Sequence, residues 1–467
     1  VSEPLRVPGF SEDETVTLNL LIEQLDKKSD RNVLRSSFYD GKRAVKQVGG
    51  VIPAQYMNLG LTLGWTAKGV DGLGRRCNID RFVWADGDLD SVGMADLEQS
   101  NFLLSELSQA RTDSLIHGVS YLITTRGVDG EPDALVHAKS ALDATGDWNV
   151  RRRELDSLLS VTSREDGRIT GFVLYLPNET ISAEKDSSGW TVDRSEHTFG
   201  VPADPLVYRP RGSRRMGRSR ISRPAMSIQM SALRALVRLE AHMDIYAIPK
   251  LIMLGADESS FKNPDGTRRP SWEAVMGRVF GLPDDDEAAN PRADVKQFAA
   301  ESPEPHLAQL NALAKLMARE TDLPDSDFAL TDMANPTSAD AYNASRENLI
   351  AEAEGAQEDW DVPIRRTVAR ALAIQNGEQG VPDEFRSIAP KWRSPVFLSK
   401  SAQADAGMKQ LAAAPWLAET EVGLELLGLS EQQIERAQAD RRRNSGRAVL
   451  AALRPSAEPE ASDAVAG

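Results

Sequence analysis

The sequence holds a single cysteine, Cys77, so no internal disulfide can form and cysteine-rich zinc sites are excluded. That usage points to a reducing compartment, or to one where thiols play no part. Histidine is scarce as well. His117, His137, His197, His242 and His306 are scattered, and no two stand three or four residues apart, so no HExxH-type ligand pair exists. Aromatic residues make up 6% of 467 residues, thin for a compact enzyme core. No apolar run approaches the ~20 residues of a membrane span, and the opening VSEPLRVPGF has no signal-peptide pattern. The expectation is a soluble protein made in a cytoplasm, with no membrane partner. Positive charge is the minority: 55 Lys and Arg stand against 70 Asp and Glu, a formal net charge of −15. A protein that coats nucleic acid needs a cationic footprint, which this balance denies. Arginine outnumbers lysine 41 to 14, a bias that reflects a GC-rich coding genome more often than a function.

Nucleotide and metal motifs are also missing. There is no GxxxxGKS/T phosphate loop. Gly69-Val70-Asp71-Gly72-Leu73-Gly74 has the wrong spacing for a dinucleotide fingerprint and reads as a bent helix or turn. Asp86-Gly87-Asp88-Leu89-Asp90 begins like a calcium loop. It then has Ser91 where the loop needs glycine, and Leu97 where it needs a bidentate glutamate. No carboxylate pair is singled out by spacing. No cofactor, no metal and no catalytic residue is expected, and the chain reads as a non-enzyme.

What is present is a long α+β chain, enough for two to four structural units at roughly 150 residues each. Ser11-Glu12-Asp13-Glu14 is a capping box that opens a helix, and Ser29 reads as the start of a second one ending near Gly41. Residues 54–77 look helical with glycine interruptions, Ile79 to Trp84 look like a strand, and 95–117 look like one helix ended by Gly118. From 119 to 208 the pattern is mainly β, with strand candidates at Val119–Thr125, Leu155–Val161, Ile169–Leu176, Trp190–Val192 and Leu206–Tyr208. Ser222-Arg223-Pro224 opens a helix over 225–248, about 36 Å long. Residues 255–302 are loop-rich, and Ser302-Pro303 opens another helix to 320. The turn-rich stretch 321–337 precedes a helix from about 338 to 376, in which Pro363 predicts a kink. Helices follow at about 401–414, 416–427 and 431–452, the last opened by Ser430-Glu431-Gln432-Gln433. The final 453–467 has a disordered composition.

Charge is unevenly spread. Residues 209–223 carry seven arginines, among them Arg211, Arg214, Arg215, Arg218 and Arg220. Such forks suit phosphate contact, or carboxylate pairing within or between subunits. The segment 321–363 carries eleven acids against one base, Arg346: −10 in 43 residues, two-thirds of the net charge. Asp322, Asp325, Asp327 and Asp332 lie in its turn-rich first part. The plain reading is a solvated helix face plus a polar loop. The sharper one is a surface that must repel another polyanion.

Four motifs stand in a particular order: Leu34-Arg35-Ser36-Ser37-Phe38-Tyr39-Asp40-Gly41, Asp113-Ser114-Leu115-Ile116-His117-Gly118-Val119-Ser120-Tyr121-Leu122, Gly217-Arg218-Ser219-Arg220-Ile221 ahead of the 225–248 helix, and Thr321-Asp322-Leu323-Pro324 followed by Asn335-Pro336-Thr337-Ser338-Ala339-Asp340-Ala341. In this order they resemble the portal proteins of tailed bacteriophages, in particular the siphophage type, over nearly the whole chain. Asp322 stands where that pattern often has glycine. The resemblance implies rings, usually of about twelve subunits, at one capsid vertex of the virion, assembled in the host cytoplasm. It implies a portal fold divided into a wing (1–218), stem helix one (219–254), a clip (255–302), stem helix two (303–320), a tunnel loop (321–337), a long wing helix with its connection (338–399) and a helical crown (400–452).

The implied function is a conduit for double-stranded DNA in packaging and ejection, read without sequence specificity. The implied partners are terminase, the major capsid protein and head-completion or adaptor proteins. Asp322, Asp325, Asp327 and Asp332 would face the channel. Arg211, Arg214, Arg215, Arg218 and Arg220 would serve a subunit interface or touch phosphate. Trp272, Phe280, Asp284, Asp285 and Asp286 would be clip contacts, with the clip's own core or a subunit interface as the plainer reading for the two aromatics. The alternatives are another oligomeric virion scaffold or adaptor protein, against which the β-rich 119–208 region stands, and a carboxylate-dependent hydrolase.

Overall fold

Ser11 and Glu14 do what the sequence asks of a capping box. Ser11 Oγ accepts from Glu14 N (3.2 Å) and Glu14 Oε2 accepts from Ser11 N (2.8 Å). They open the first helix of the computed structural model, which describes residues 4–42, 60–246, 250–254, 265, 267, 279–282, 294–298, 301–328, 346–396 and 400–452. The chain divides into two compact units, Val1–Pro395 and Val396–Gly467.

In the larger unit, helix α1 (Glu12–Tyr39) is followed by α2 (Trp65–Gly74), strand β1 (Ile79–Val83), α3 (Met94–Asn101) and α4 (Leu103–His117). Then come β2 (Val119–Arg126), β3 (Ala134–Ser140), β4 (Ala144–Asn149), β5 (Glu154–Glu165), β6 (Arg168–Leu176), β7 (Glu179–Asp186), β8 (Gly189–Glu196) and β9 (Ala203–Val207). Helix α5 (Arg223–Tyr246), β10 (Lys250–Leu254), β11 (Val279–Leu282), β12 (Asp294–Phe298), α6 (Glu304–Thr321), α7 (Glu347–Gln375) and β13 (Ala389–Trp392) complete it.

Several boundaries differ from the sequence reading, each for a local reason. Helix α1 runs unbroken through Ser29, because the helix already satisfies the backbone there and a capping hydroxyl is not needed. The single helix expected over 95–117 is two. Phe102 takes a left-handed conformation (φ 48°, ψ 41°) and serves as C-cap of α3 and N-cap of α4. Buried Asn101 is tied at the same point: its Nδ2 donates to Ala134 O (3.0 Å) and its Oδ1 accepts from Val136 N (2.7 Å). β3, β4 and β7 were not visible as strands. Their apolar residues are interrupted by charged and small ones, so no alternation stands out. Residues 416–427 hold a 3-10 turn (Pro415–Glu419) and a short helix rather than one helix. Helix α7 continues through Pro363, although proline provides no N–H for the Asp359 carbonyl.

β2 is the centre of the larger unit. It pairs antiparallel with both β3 and β9, and its residues alternate between two cores. Leu122 joins a cluster with Leu107 and Leu115 of α4 and with Trp360, Ile364 and Val368 of α7. Tyr121 and Ile123 join a second cluster with Leu155, Leu158 and Tyr175. β4 to β8 form an antiparallel meander in strand order 4-5-6-7-8, and its other face packs on Leu18, Leu21 and Leu25 of α1.

α5 and α6 lie antiparallel. Ser222, which caps α5 by accepting from Ala225 N (3.1 Å), donates to Glu320 Oε1 at the far end of α6 (2.5 Å). At their other ends the rings of His242 and His306 meet edge-on, 5.1 Å between centroids. Beyond that end β10 is flanked by β11 (parallel) and β12 (antiparallel).

The smaller unit contains α8 (Lys400–Ala413), α9 (Glu421–Leu426) and α10 (Glu431–Ala452). Gln433 Oε1 accepts from Ser430 N (2.9 Å), half of the expected box. Gly407 sits against the Leu426 carbonyl where a Cβ would collide with it, so this contact requires glycine.

One acid of α4 works against stability. Burial, opposed by a hydrogen bond with Ser140, pushes Asp113 up to about 6. A carboxyl that resists ionisation in the fold destabilises it as pH rises from about 4 to 6 and leaves it unaffected below. Asp113→Asn is therefore expected to raise Tm at pH 7 by a few degrees. The gap should close below pH 4 in a pH series of thermal unfolding. A gap that persists at pH 3 would show that the cause is not ionisation.

Candidate functional site

The arginine segment and the acidic segment meet at one junction. After β9 the chain passes Tyr208 and turns at Arg209, which is left-handed (φ 50°). Arg211 and Arg214 exchange backbone hydrogen bonds (3.0 and 2.9 Å), and the chain returns beneath the end of α4. Two glycines allow that return. Gly118 (φ 99°) ends α4, and Gly217 (φ 66°) lies where a Cβ would strike the carbonyls of Gly118 and Tyr208. Arg218 N then bonds to Tyr208 O (2.8 Å) and Arg220 N to Leu115 O (2.8 Å).

This places Arg220 between three elements. Its Nε donates to Gly69 O in α2 (2.7 Å), its Nη1 to the Tyr208 hydroxyl (3.1 Å) and its Nη2 to Thr321 O at the end of α6 (2.5 Å). The Tyr208 hydroxyl in turn donates to Glu352 Oε1 on α7, and Arg209 Nη2 pairs with Glu352 Oε2 (2.5 Å). Burial drives the Tyr208 phenol well above its ordinary range, with the neighbouring Glu352 carboxylate adding to the shift. Arg209 N also bonds to Asp359 Oδ2 (3.2 Å). Tyr208 packs on Trp360 at 6.4 Å between centroids. Of the arginines singled out in the sequence, Arg220 is consumed by these internal bonds, while Arg211, Arg214, Arg215 and Arg218 are exposed.

The first part of the acidic segment is held from the other side. α6 ends at Asp322, which caps it in the left-handed conformation (φ 55°, ψ 20°). Glycine favours that geometry, and aspartate is among the few other residues that adopt it readily. Thr321 and Leu323 then lie over α2. A Cβ on Gly69 would approach Thr321 Cγ2 to 3.0 Å, and one on Gly72 would approach Leu323 Cδ2 to 2.8 Å. Phe328 meets Trp65 edge-on at 5.8 Å. The glycine-rich stretch 69–74 is therefore a helix whose bare face seats the 321–328 segment. Sequence reasoning missed that role. The signal was there as glycines three residues apart in a helical window, but their partner lies about 250 residues away.

Asp325 is exposed, Asp322 and Asp327 are half-buried, and Asp327 lies 3.9 Å from Lys68. On α7, Glu347, Glu354 and Glu358 share an exposed face with Val362 and Arg366, while Glu352 and Asp361 are paired with Arg209 and Arg365. The acidic stretch is thus part solvated surface and part internal pairing. Asp332, Trp272, Asp284, Asp285 and Asp286 lie outside the described residues, and Phe280 stands on β11.

The sequence model of the family described as "Phage portal protein, SPP1 Gp6-like" matches residues 18–447. The chain belongs to that family. It is a structural family of the phage virion, and its function, carried by this chain, is that of the portal vertex, a conduit for double-stranded DNA. Among similar proteins are the portal proteins of Mycobacterium phage D29 and Mycobacterium phage L5, each 25% identical over 415 residues, 86% of this chain and 84% of theirs. Among solved structures, a chain in the neck of the empty gene transfer agent particle computed with C6 symmetry aligns with TM-score 0.43 and 16% identity. It covers 77% of this chain and 88% of that one. The neck of the native particle computed with C12 symmetry aligns at TM-score 0.41, also at 16% identity, over 78% of this chain and 91% of that one.

Proposed function

We propose that the chain forms a ring closed by one repeated heterologous interface, of about twelve subunits as the family resemblance implies, through which double-stranded DNA passes without sequence-specific contact and without chemistry performed by the ring itself. In this reading residues 1–218 are the wing, α5 and α6 the stem, 255–302 the clip, 321–337 the tunnel loop, 338–399 the long wing helix with its connection and 400–452 the crown. Terminase and then head-completion proteins dock on the clip through Trp272, Phe280 and the acids Asp284, Asp285 and Asp286. The major capsid protein surrounds the ring, and assembly takes place in the host cytoplasm. Exposed Arg211, Arg215 and Arg218 are available to the neighbouring subunit or to phosphate.

The observation that carries the reading is the anchored start of the acidic segment. A loop that must stand beside moving DNA needs a rigid base and a surface that gains no counterion-release affinity for phosphate. Arg220, Gly69 and Gly72 provide the base, while Asp322, Asp325, Asp327 and Asp332 provide the charge. Replacing these four aspartates by Lys is expected to lower DNA packaging or retention at least tenfold while rings still assemble, checked by nuclease-protected DNA per particle and by electron microscopy of purified rings. Loss of the rings instead would make the acids structural and remove them from the channel.

A further inference from the structure

Lys28, Arg31 and Arg35 stand three and four residues apart along α1, which puts their side chains on one face of the helix. That face borders a cavity of about 140 Å³ whose lining also includes Arg214, His117 and Thr145. No carboxylate lines it. Among the described residues none of these four cations forms an ion pair, although acids outnumber bases in the chain. The polar contacts made are few. Lys28 Nζ reaches Thr145 Oγ1 at 3.5 Å, and Arg35 Nη1 donates to His117 O (2.7 Å). His117 is 6% exposed, and its Nδ1 is buried with no hydrogen-bond partner among the described residues.

Such an arrangement is costly when empty. Burial, and then the neighbouring Arg31 and Arg214, draw Arg35 down to about 10. Burial followed by Arg31 lowers Lys28 too. Lys28 and Arg35 are half-buried with exposed Arg31 and Arg214 at the rim, and like charges gathered on such a recess without a carboxylate call for a counter-ion. A single carboxylate would leave most of the charge uncompensated. A doubly charged tetrahedral oxyanion matches it better, and arginine forks and an ammonium are the donors that recognise phosphate.

We propose that the recess between α1, the start of β2 and the 211–217 turn is a phosphate-binding site, one per subunit. The phosphate is a free ion or a group carried by DNA. The site lies apart from the acidic 321–328 segment and does not depend on its role. Inorganic phosphate, titrated calorimetrically into the full chain as purified and compared with sodium chloride at equal ionic strength, is the direct probe. We expect saturable binding at one phosphate per subunit and a phosphate-dependent rise in Tm, since a ligand of the folded state stabilises it by mass action.

The Arg31→Gln, Arg214→Gln double variant removes two side chains that make no hydrogen bond or ion pair within the described chain, so it should fold as the parent does. Its phosphate affinity should fall at least tenfold, and Lys28→Met should weaken binding as well. Phosphate that acts no differently from chloride, or a double variant that binds as tightly as the parent, overturns the proposal. A short duplex DNA added to the phosphate-loaded chain separates the two sources. Displacement of phosphate assigns the site to a DNA phosphate, and undisturbed binding assigns it to the free ion; both uphold the site.

Discussion

Arg370→Met should destabilise the folded chain by about 3–5 kcal/mol, the range for removing one partner of a buried ion pair. Arg370 lies on α7 and Asp204 on β9, with Nη1 and Oδ2 2.8 Å apart and side chains only 9% and 6% exposed. Among the described residues the one other side chain bonded to that carboxylate is Thr367, whose hydroxyl donates to the same Oδ2 at 3.2 Å. Methionine fills much of the arginine volume, so the loss reports the stranded Asp204 charge rather than a cavity. The pair fixes α7 against the β2–β9 sheet, the contact on which the main core is built. Adding Asp204→Asn should recover most of the loss, because the double variant no longer buries an unpaired charge. Urea unfolding of the parent, both single variants and the double variant closes the cycle. A single variant within 1 kcal/mol of the parent, or a double variant no better than Arg370→Met, would show that the pair does not hold the helix.

Arg220→Ala should cost about 3 kcal/mol, since hydrogen bonds from a charged donor contribute roughly 1.5–3 kcal/mol each and do not add fully. The carbonyls of Gly69 and Thr321 and the Tyr208 hydroxyl lose their shared donor. Arg220→Lys should recover little, because one ammonium cannot span three acceptors set by a planar fork. Loss of this clamp should loosen the 321–328 segment first. Limited proteolysis within that segment is expected to speed up several-fold at temperatures where the rest of the chain stays folded, and DNA packaging should fall with it. If the lysine variant matches the parent in both stability and proteolysis, the three-way clamp is not what anchors the segment.

These two arginines mark where sequence reasoning stops. The run from Arg209 to Arg223 stands out by composition alone, and phosphate contact, subunit pairing and internal pairing were all open. The fold separates them. Arg209 and Arg220 are spent on Glu352, Tyr208, Gly69 and Thr321. Arg211, Arg214, Arg215 and Arg218 are exposed, and of these Arg214 borders the recess with α1. Arg370 drew no attention in the sequence, since a lone arginine in an amphipathic helix reads as surface. It is buried only because α7 crosses β9 at that point. The calcium-like Asp86–Asp90 run forms a local turn. Its Asp88 caps a short turn, accepting from Asp90 N at 3.1 Å.

The sequence by itself determined most of the elements and the family. Caps such as Ser11 and Ser222, the glycine stop at Gly118 and the periodicity of α5 and α7 are local signals, written within one or two helical turns of the residues they act on. Only the tertiary structure decided what the glycines of α2 receive, which arginines are spent inside the chain, why Asp322 can replace a glycine and where α1 gathers its cations. Each of those depends on at least one partner far along the chain, or on a backbone angle that neighbouring packing selects. A single sequence carries no record of either.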